Sequence, residues 1–309
     1  MNYPFGKGRQ AWTPYLLIFP GLFLYFLVAL GPSIATFGYS FTDASGLAGS
    51  NINWIGFENY EEFLLIGQAA RDNIDALQRT VIFSVAVSAI QFAVGLVLAL
   101  ILNQRLLGTR FFRTLFFLPV ILGVVIQGLM WKLTLDPFGG PFVEILKSLG
   151  IRNYVPLGGT QAFWWVVFVQ IWANAGITMV IFLAGLQTVP DELYEAARID
   201  GASGWQLFRR ITWPLLTPSI NTNILLNIIG SLQAWQLFWV LIGYRPGTQV
   251  LGYVIYAEGF GQTGGQTVSF RQGYAAAASV VLFFIVLVVG LFTQWYLNHR
   301  EAQTFGGDL

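Results

Sequence analysis

The passage Tyr194-Glu195-Ala196-Ala197-Arg198-Ile199-Asp200-Gly201-Ala202-Ser203, closing with Ile211-Thr212-Trp213-Pro214, is a charged stretch set between two uncharged apolar runs, residues 162–186 and 215–242. Each run exceeds the about 20 residues that a helix needs to cross a hydrocarbon core of about 30 Å. A chain that leaves an apolar phase, makes a polar excursion and re-enters reads as an all-α polytopic membrane protein. Further uncharged runs lie near 14–38, 80–103, 114–131 and 276–297, so six transmembrane helices are expected in a single domain over residues 1–309, with a loop at 187–213. Composition agrees. Hydrophobic residues are 55% of the chain and charged residues 10%, against about a quarter charged in soluble domains.

The positions of the charges orient the chain. With the N-terminus inside, Lys7, Arg9, Arg105, Arg110, Arg113, Arg198, Arg209, Arg210 and Arg300 fall in short cytoplasmic segments. Arg71, Arg79, Lys147, Arg152, Arg245 and Arg271 remain outside. The positive-inside bias therefore favours a multi-pass protein with both termini in the cytoplasm. A net charge of +1 supplies no basic stripe for nucleic acid. The chain has no cysteine, which excludes disulfides, thiolate metal sites and thiol catalysis. The first apolar run is longer than the about 7–15 residues of a signal-peptide core, so a retained helix is expected.

Within the loop, Pro190 followed by Asp191 and Glu192 marks a helix start, with carboxylates at the positive end of the helix dipole. Gly201 can take the left-handed conformation that ends it. Ser203 with Gln206 forms a capping box for a second short helix, expected to stop near Trp213 ahead of Pro214. Two helices joined at a small-residue corner make a compact protrusion that another protein's groove could receive. An amphipathic linker lying on the membrane is the other reading.

Glu195-Ala196-Ala197, then Gly201, Ile211 and Pro214 at this spacing resemble the Glu-Ala-Ala signature of membrane permease subunits of bacterial ATP-binding cassette importers. Tyr194 to Ser203, Trp205-Gln206 and Phe208 are similar to the carbohydrate-uptake branch, and to its maltose-type, F-like permeases. Gly56-Phe57-Glu58-Asn59-Tyr60, Leu118-Pro119, Asp136-Pro137-Phe138-Gly139 and Gly273-Tyr274-Ala275-Ala276-Ala277 extend the resemblance over nearly the full length. Trp213 departs from it, since leucine usually precedes the closing proline.

The resemblance implies that the corner is a coupling helix seated in a cytoplasmic ATPase, with Glu195, Ala196, Ala197, Asp200 and Gly201 as coupling residues. It implies four partners: a second permease subunit, two copies of the ATPase, an extracytoplasmic sugar-binding protein and the lipid bilayer. ATP and magnesium then belong to the ATPase, and this chain needs no cofactor of its own.

The chain has no G-x-x-x-x-G-K-[ST], and Gly6-Lys7-Gly8 lacks its spacing and following Ser/Thr. The six expected spans hold no Asp, Glu, Lys, Arg or His, the usual ion and proton sites of gradient-driven transporters. A gradient-driven transporter is the alternative of another class; a membrane enzyme has no nucleophile and base to build on.

The polar groups in the spans are neutral. Asn223, Asn227 and Ser231 recur every four residues on one helical face, with Trp235 continuing the row; Gln170, Asn174 and Thr178 do the same in the fourth span, and Gln127 is a candidate in the third. Amides that give and accept hydrogen bonds suit a hydroxyl-rich solute such as a sugar. They equally suit interhelical hydrogen bonds of about 0.6–2 kcal/mol each, and for any single residue both readings stand. The maltose-type resemblance places sugar contacts on Gln170, Asn174, Asn227 and Ser231, and two more on Val120 and Val124. Those last two are apolar here, so the sugar's identity does not follow. A polyol or a glycerol phosphodiester is a further possibility.

Overall fold

The computed structural model describes residues 13–104, 107–245, 247–261 and 270–305. Lys7, Arg9, Arg105 and the Gly6-Lys7-Gly8 stretch lie outside them. Among the described residues every element is helical, apart from an isolated bridge between Thr42 and Trp54.

Thr13–Tyr25 (α1), a π-helical turn at Phe26–Leu30 and Gly31–Tyr39 (α2) follow one another without a break. The wide turn lies just ahead of Pro32, whose ring would crowd the carbonyl four residues earlier in a regular helix. Glu58–Leu64 (α3) precedes Gly67–Leu102 (α4). The expected span 80–103 is thus the apolar part of a 36-residue helix. Its first turns carry Arg71, Asp72, Asp75 and Arg79, which keeps them polar enough to project beyond the apolar layer.

Thr109–Ile121 (α5) and Val124–Thr134 (α6) are bent by 100°. The expected span 114–131 is therefore a broken helix. Pro119 lies inside α5, but the break falls three residues later, where Leu122 and Gly123 are both extended. A regular helix cannot pass an extended pair, and the freed carbonyls need another donor. Gln127 Nε2 provides it, donating to Pro119 O at 2.8 Å and Leu122 O at 2.9 Å.

Pro141–Ser148 (α7) leads to Gln161–Leu186 (α8), the most deeply packed span, with 56% of its apolar window buried. Asp191–Ile199 (α9), Gly204–Leu207 (α10), a π turn at Phe208–Thr212 and Trp213–Leu215 (α11) form the loop. Thr217–Leu232 (α12) and Gln236–Leu241 (α13) are separated at Trp235, so the expected span 215–242 is also two helices. Leu251–Phe260 (α14) and Gln272–Phe305 (α15) complete the chain. Among the described residues, four stretches are long and apolar enough to cross a membrane: Pro14–Tyr39, Gly67–Leu102, Gln161–Leu186 and Gln272–Arg300. The bent α5–α6 pair makes a fifth if counted as one span.

Helix α8 is the hub. One core cluster joins it to α4 and α13 through Phe83, Phe163, Val166 and Phe238, and another joins it to α4 and α12 through Leu96, Met179, Phe182 and Ile220. Glycines set the closest approaches, as is usual where membrane helices meet. A Cβ on Gly95 would lie 2.4 Å from Thr178 Cγ2, and one on Gly176 would lie 2.4 Å from Phe116 O.

At the end away from the loop, Arg271 ties several elements together. Its guanidinium pairs with Glu62 of α3 and lies 4.2 Å from the ring centroid of Tyr274, while the Arg271 backbone N–H donates to Glu258 O at 2.8 Å. Burial works to lower the Arg271 pKa, but the hydrogen bond and charge of Glu62 raise it above the ordinary arginine value. Asn73 of α4 donates to Tyr274 Oη at 2.7 Å and to Phe63 O at 3.1 Å.

The Gly176 approach is made to backbone, which cannot swing aside. Gly176→Val is expected to force α8 off α5 and destabilise the protein by about 1–3 kcal/mol. Thermal unfolding in detergent checks this, and an unchanged midpoint would show that the α5–α8 contact gives way freely.

Candidate functional site

Two regions gather the sequence-predicted residues: the loop corner, and the seam between α4, α8 and α12.

The corner is built by local chemistry. Pro190 is the N-cap of α9, Asp191 and Glu192 occupy its first turn, and Arg198 its last. Gly201 stands at φ +80°. Its N–H donates to Arg198 O at 3.1 Å, and the Ala202 N–H reaches back to Ala197 O at 2.9 Å. Those two bonds are the Schellman arrangement, which satisfies carbonyls that the end of a helix leaves free. Ser203 then caps α10, its Oγ accepting from the Gln206 N–H, while Gln206 Oε1 accepts from the Ser203 N–H at 2.7 Å.

The second arm does not stop at Trp213. Trp213 is helical and Pro214 sits in the first turn of α11, reached through the π turn. That turn closes with the Trp213 N–H donating to Phe208 O. Its wider register places proline where no inward N–H is required. The two arms meet where Tyr194 Oη lies 3.0 Å from Thr212 Oγ1.

No residue of α9 is buried. Glu195, Ala196, Asp200 and Gly201 are exposed, and Ala197 is half-buried. Ile199 and Trp205 flank the corner at 87% and 67% exposure, values that leave apolar surface bare on both sides of it. Beneath α9, a cleft of about 460 Å³ is lined by Asp191, Tyr194, Glu195, Arg198, Asn103 and Thr212, among others.

In the seam, Gln91 of α4 is the central residue. Its Nε2 donates to Thr178 Oγ1 at 3.0 Å and to Asn227 Oδ1 at 2.8 Å. Thr178 Oγ1 also lies 3.4 Å from Asn227 Oδ1, and Asn223 Nδ2 lies 3.5 Å from Thr178 O. Ser231 Oγ lies 2.8 Å from Ser84 Oγ and donates to Asn227 O at 2.6 Å. Asn223, Asn227, Ser231 and Thr178 are all buried, facing protein.

Gln170 and Asn174 are placed differently. Both are half-buried, and Asn174 Nδ2 donates along its own helix to Gln170 O at 3.0 Å. Gln127 is buried and engaged with the α5–α6 break. Trp235 leaves the Asn223 row at the helix break and stacks on Tyr256, ring centroids 4.4 Å apart. Val120 and Val124 are half-buried.

Sequence reasoning passed over Gln91, Ser84 and Ser88, although the spacing Thr80-Ser84-Ser88-Gln91-Gly95 is a helical row like the two that were read.

Residues 91–301 match the family described as the binding-protein-dependent transport system inner membrane component. The "Probable starch degradation products transport system permease protein AmyD" of Thermoanaerobacterium thermosulfurigenes is 29% identical over 310 residues, covering 97% of this chain and 97% of that protein. The "Trehalose/maltose transport system permease protein MalF" of Thermococcus litoralis is 32% identical over 294 residues, covering 94% and 95%. A chain of the bacterial alginate ABC transporter, solved in complex with alginate pentasaccharide-bound periplasmic protein, shares the fold with a TM-score of 0.78, at 22% identity over 95% of this chain and 96% of that one. This chain, with its broken helices and its capped polar corner, belongs to the family of binding-protein-dependent transport system inner membrane components.

Proposed function

We propose that this chain is a permease subunit of an ATP-driven importer, moving a sugar across the bacterial inner membrane by alternating access. The observation that carries the reading is the corner at Gly201. A capped, exposed helix pair stands off the body, with bare apolar side chains on its flanks and Glu195 at the rim of a polar cleft. Such a shape transmits a push, because its two arms are fixed to one another at Gly201 and at the Tyr194–Thr212 contact.

Two copies of a cytoplasmic ATPase grip this corner and its counterpart on a second permease subunit, and they alone bind ATP and magnesium. Both termini of this chain are cytoplasmic. A sugar-binding protein delivers the solute to the opposite face, in keeping with the family and with the names of its relatives. Closure of the ATPase pair tilts α9 and, through Thr212, the start of α12. The spans then exchange inward-open for outward-open, and this chain makes and breaks no covalent bond.

The solute path runs along the half-buried Gln170 and Asn174, and Val120 and Val124, also half-buried, contribute to it. Asn227, Ser231 and Gln127 are engaged by protein partners in this conformation, and they meet solute only where the seam loosens. A neutral hydroxyl-rich solute suits these amides, and a polyol or glycerol phosphodiester importer is the neighbouring possibility.

ATP hydrolysis by the assembled complex in liposomes, with binding protein loaded from a panel of sugars, polyols and glycerol phosphodiesters, tests the reading. Stimulation by one loaded solute is expected. Solute movement by this chain alone, with hydrolysis indifferent to every solute, would replace it with a gradient-driven transporter.

Gly201→Leu has room for its side chain but not for its backbone, since nothing lies within 4 Å of an added Cβ while φ is +80°. A left-handed non-glycine residue costs about 1–2 kcal/mol, enough to disturb the corner without unfolding the spans. Membrane yield should stay normal while solute-stimulated hydrolysis falls at least tenfold; normal uptake by this variant would remove the coupling assignment. Asn174→Leu should raise the half-saturating concentration of solute with little change in basal hydrolysis. An unaltered solute dependence would mean that this row faces protein in every state.

A further inference from the structure

Two side-chain atoms in the α4–α8–α12 seam are buried and have no hydrogen-bond partner: Asn223 Oδ1 and Asn227 Nδ2. Their residues are 1% and 8% exposed, so bulk water does not satisfy them. They sit four residues apart on α12, on one face, where Cβ atoms are about 5–6 Å apart. One is an acceptor and the other a donor.

With Gln91 as it stands, the neighbours fix both amide orientations. Turning Asn227 over would set its NH₂ against the Gln91 Nε2 donor, which now meets Oδ1 at 2.8 Å. Turning Asn223 over would bring its oxygen to the Thr178 carbonyl, which now lies 3.5 Å from Nδ2. Neither amide cures its orphaned atom by rotating.

We propose that one water molecule is bound between Asn223 and Asn227, accepting from Asn227 Nδ2 and donating to Asn223 Oδ1. Buried waters occupy polar sites with two to four partners and bridge groups that protein leaves unsatisfied. Thr178, whose hydroxyl and carbonyl face the same pair, is the third polar neighbour. The requirement is a small group that gives and accepts at once. A sugar hydroxyl has the same chemistry, but it carries a ring that three packed helices exclude.

The bridge has a mechanical consequence. Where Gln91 fastens α12 directly to α4, the water joins two turns of α12 through a contact that exchanges partners without stripping either amide. The seam is thereby dry and fixed at Gln91, and hydrated one turn nearer the loop.

The test is a cryo-electron microscopy map of the full chain with the subunits that co-purify with it, in lipid nanodiscs without solute, at a resolution that shows ordered water. A density peak within hydrogen-bond distance of both atoms is expected. Direct pairing of the two atoms with protein groups, or an empty gap between them, overturns the proposal. Melting temperatures of Asn223→Leu, Asn227→Leu and the double variant give an independent reading. With a shared water, the double variant loses less than the sum of the two single losses, whereas strictly additive losses count against it. The outcome does not depend on which solute is carried, so it stands or falls separately from the transport assignment.

Discussion

The Gln91 amide is the bond on which the packed half of this protein depends. In lipid there is no hydrophobic gain from bringing apolar helices together, so packing and interhelical hydrogen bonds must hold them. Gln91 reaches two other helices with one NH₂ group, joining α4 to α8 at Thr178 and to α12 at Asn227. The glycine four residues on, Gly95, lets α8 approach until an added Cβ would sit 2.4 Å from Thr178. Close approach and polar attachment therefore occur at the same level of the bundle. The N-terminal rod shows the contrast, since none of its apolar window is buried within this chain.

The same rule of complete satisfaction explains where the backbone is allowed to break. Irregular backbone at membrane depth is tolerated only where protein or water supplies the missing partners. Gln127 does this for Pro119 and Leu122, while at the exposed corner, where water is at hand, the Gly201 and Ala202 N–H groups satisfy the end of α9. A side chain is required in the first case because the bend of 100° separates α5 from α6. In the second, two backbone bonds suffice because the turn is tight.

The details of the corner were legible in the sequence because residues adjacent in the chain determine them. Pro190, Gly201, Ser203 and Gln206 each do locally what their chemistry suggests. Pro214 was misread for an instructive reason. Proline disfavours a regular helix before it, but a π turn alters the register, and nothing in residues 204–213 announces one. The broken spans were equally hidden: 114–131 and 215–242 are apolar enough to cross a membrane, and hydropathy records composition, not continuity. Pro119 lies in the broken helix but three residues ahead of the break, which is set by Gly123 and by the reach of Gln127.

Periodicity identified the polar rows but could not say what they face. A row at every fourth residue lies on one side of its helix whether that side meets a neighbour or a path. The deciding facts are relational. Asn227 and Ser231 look towards Gln91 and Ser84, whose own row runs antiparallel to theirs, whereas Gln170 and Asn174 remain half-exposed. Neutral amides are good at both tasks because their hydrogen bonds to protein cost little to exchange for bonds to a hydroxyl. A charged pair in the seam would be stronger, and losing either partner would leave an uncompensated charge. Neutral seam contacts therefore hold these helices with bonds that can be exchanged at little cost, which a buried ion pair would not allow.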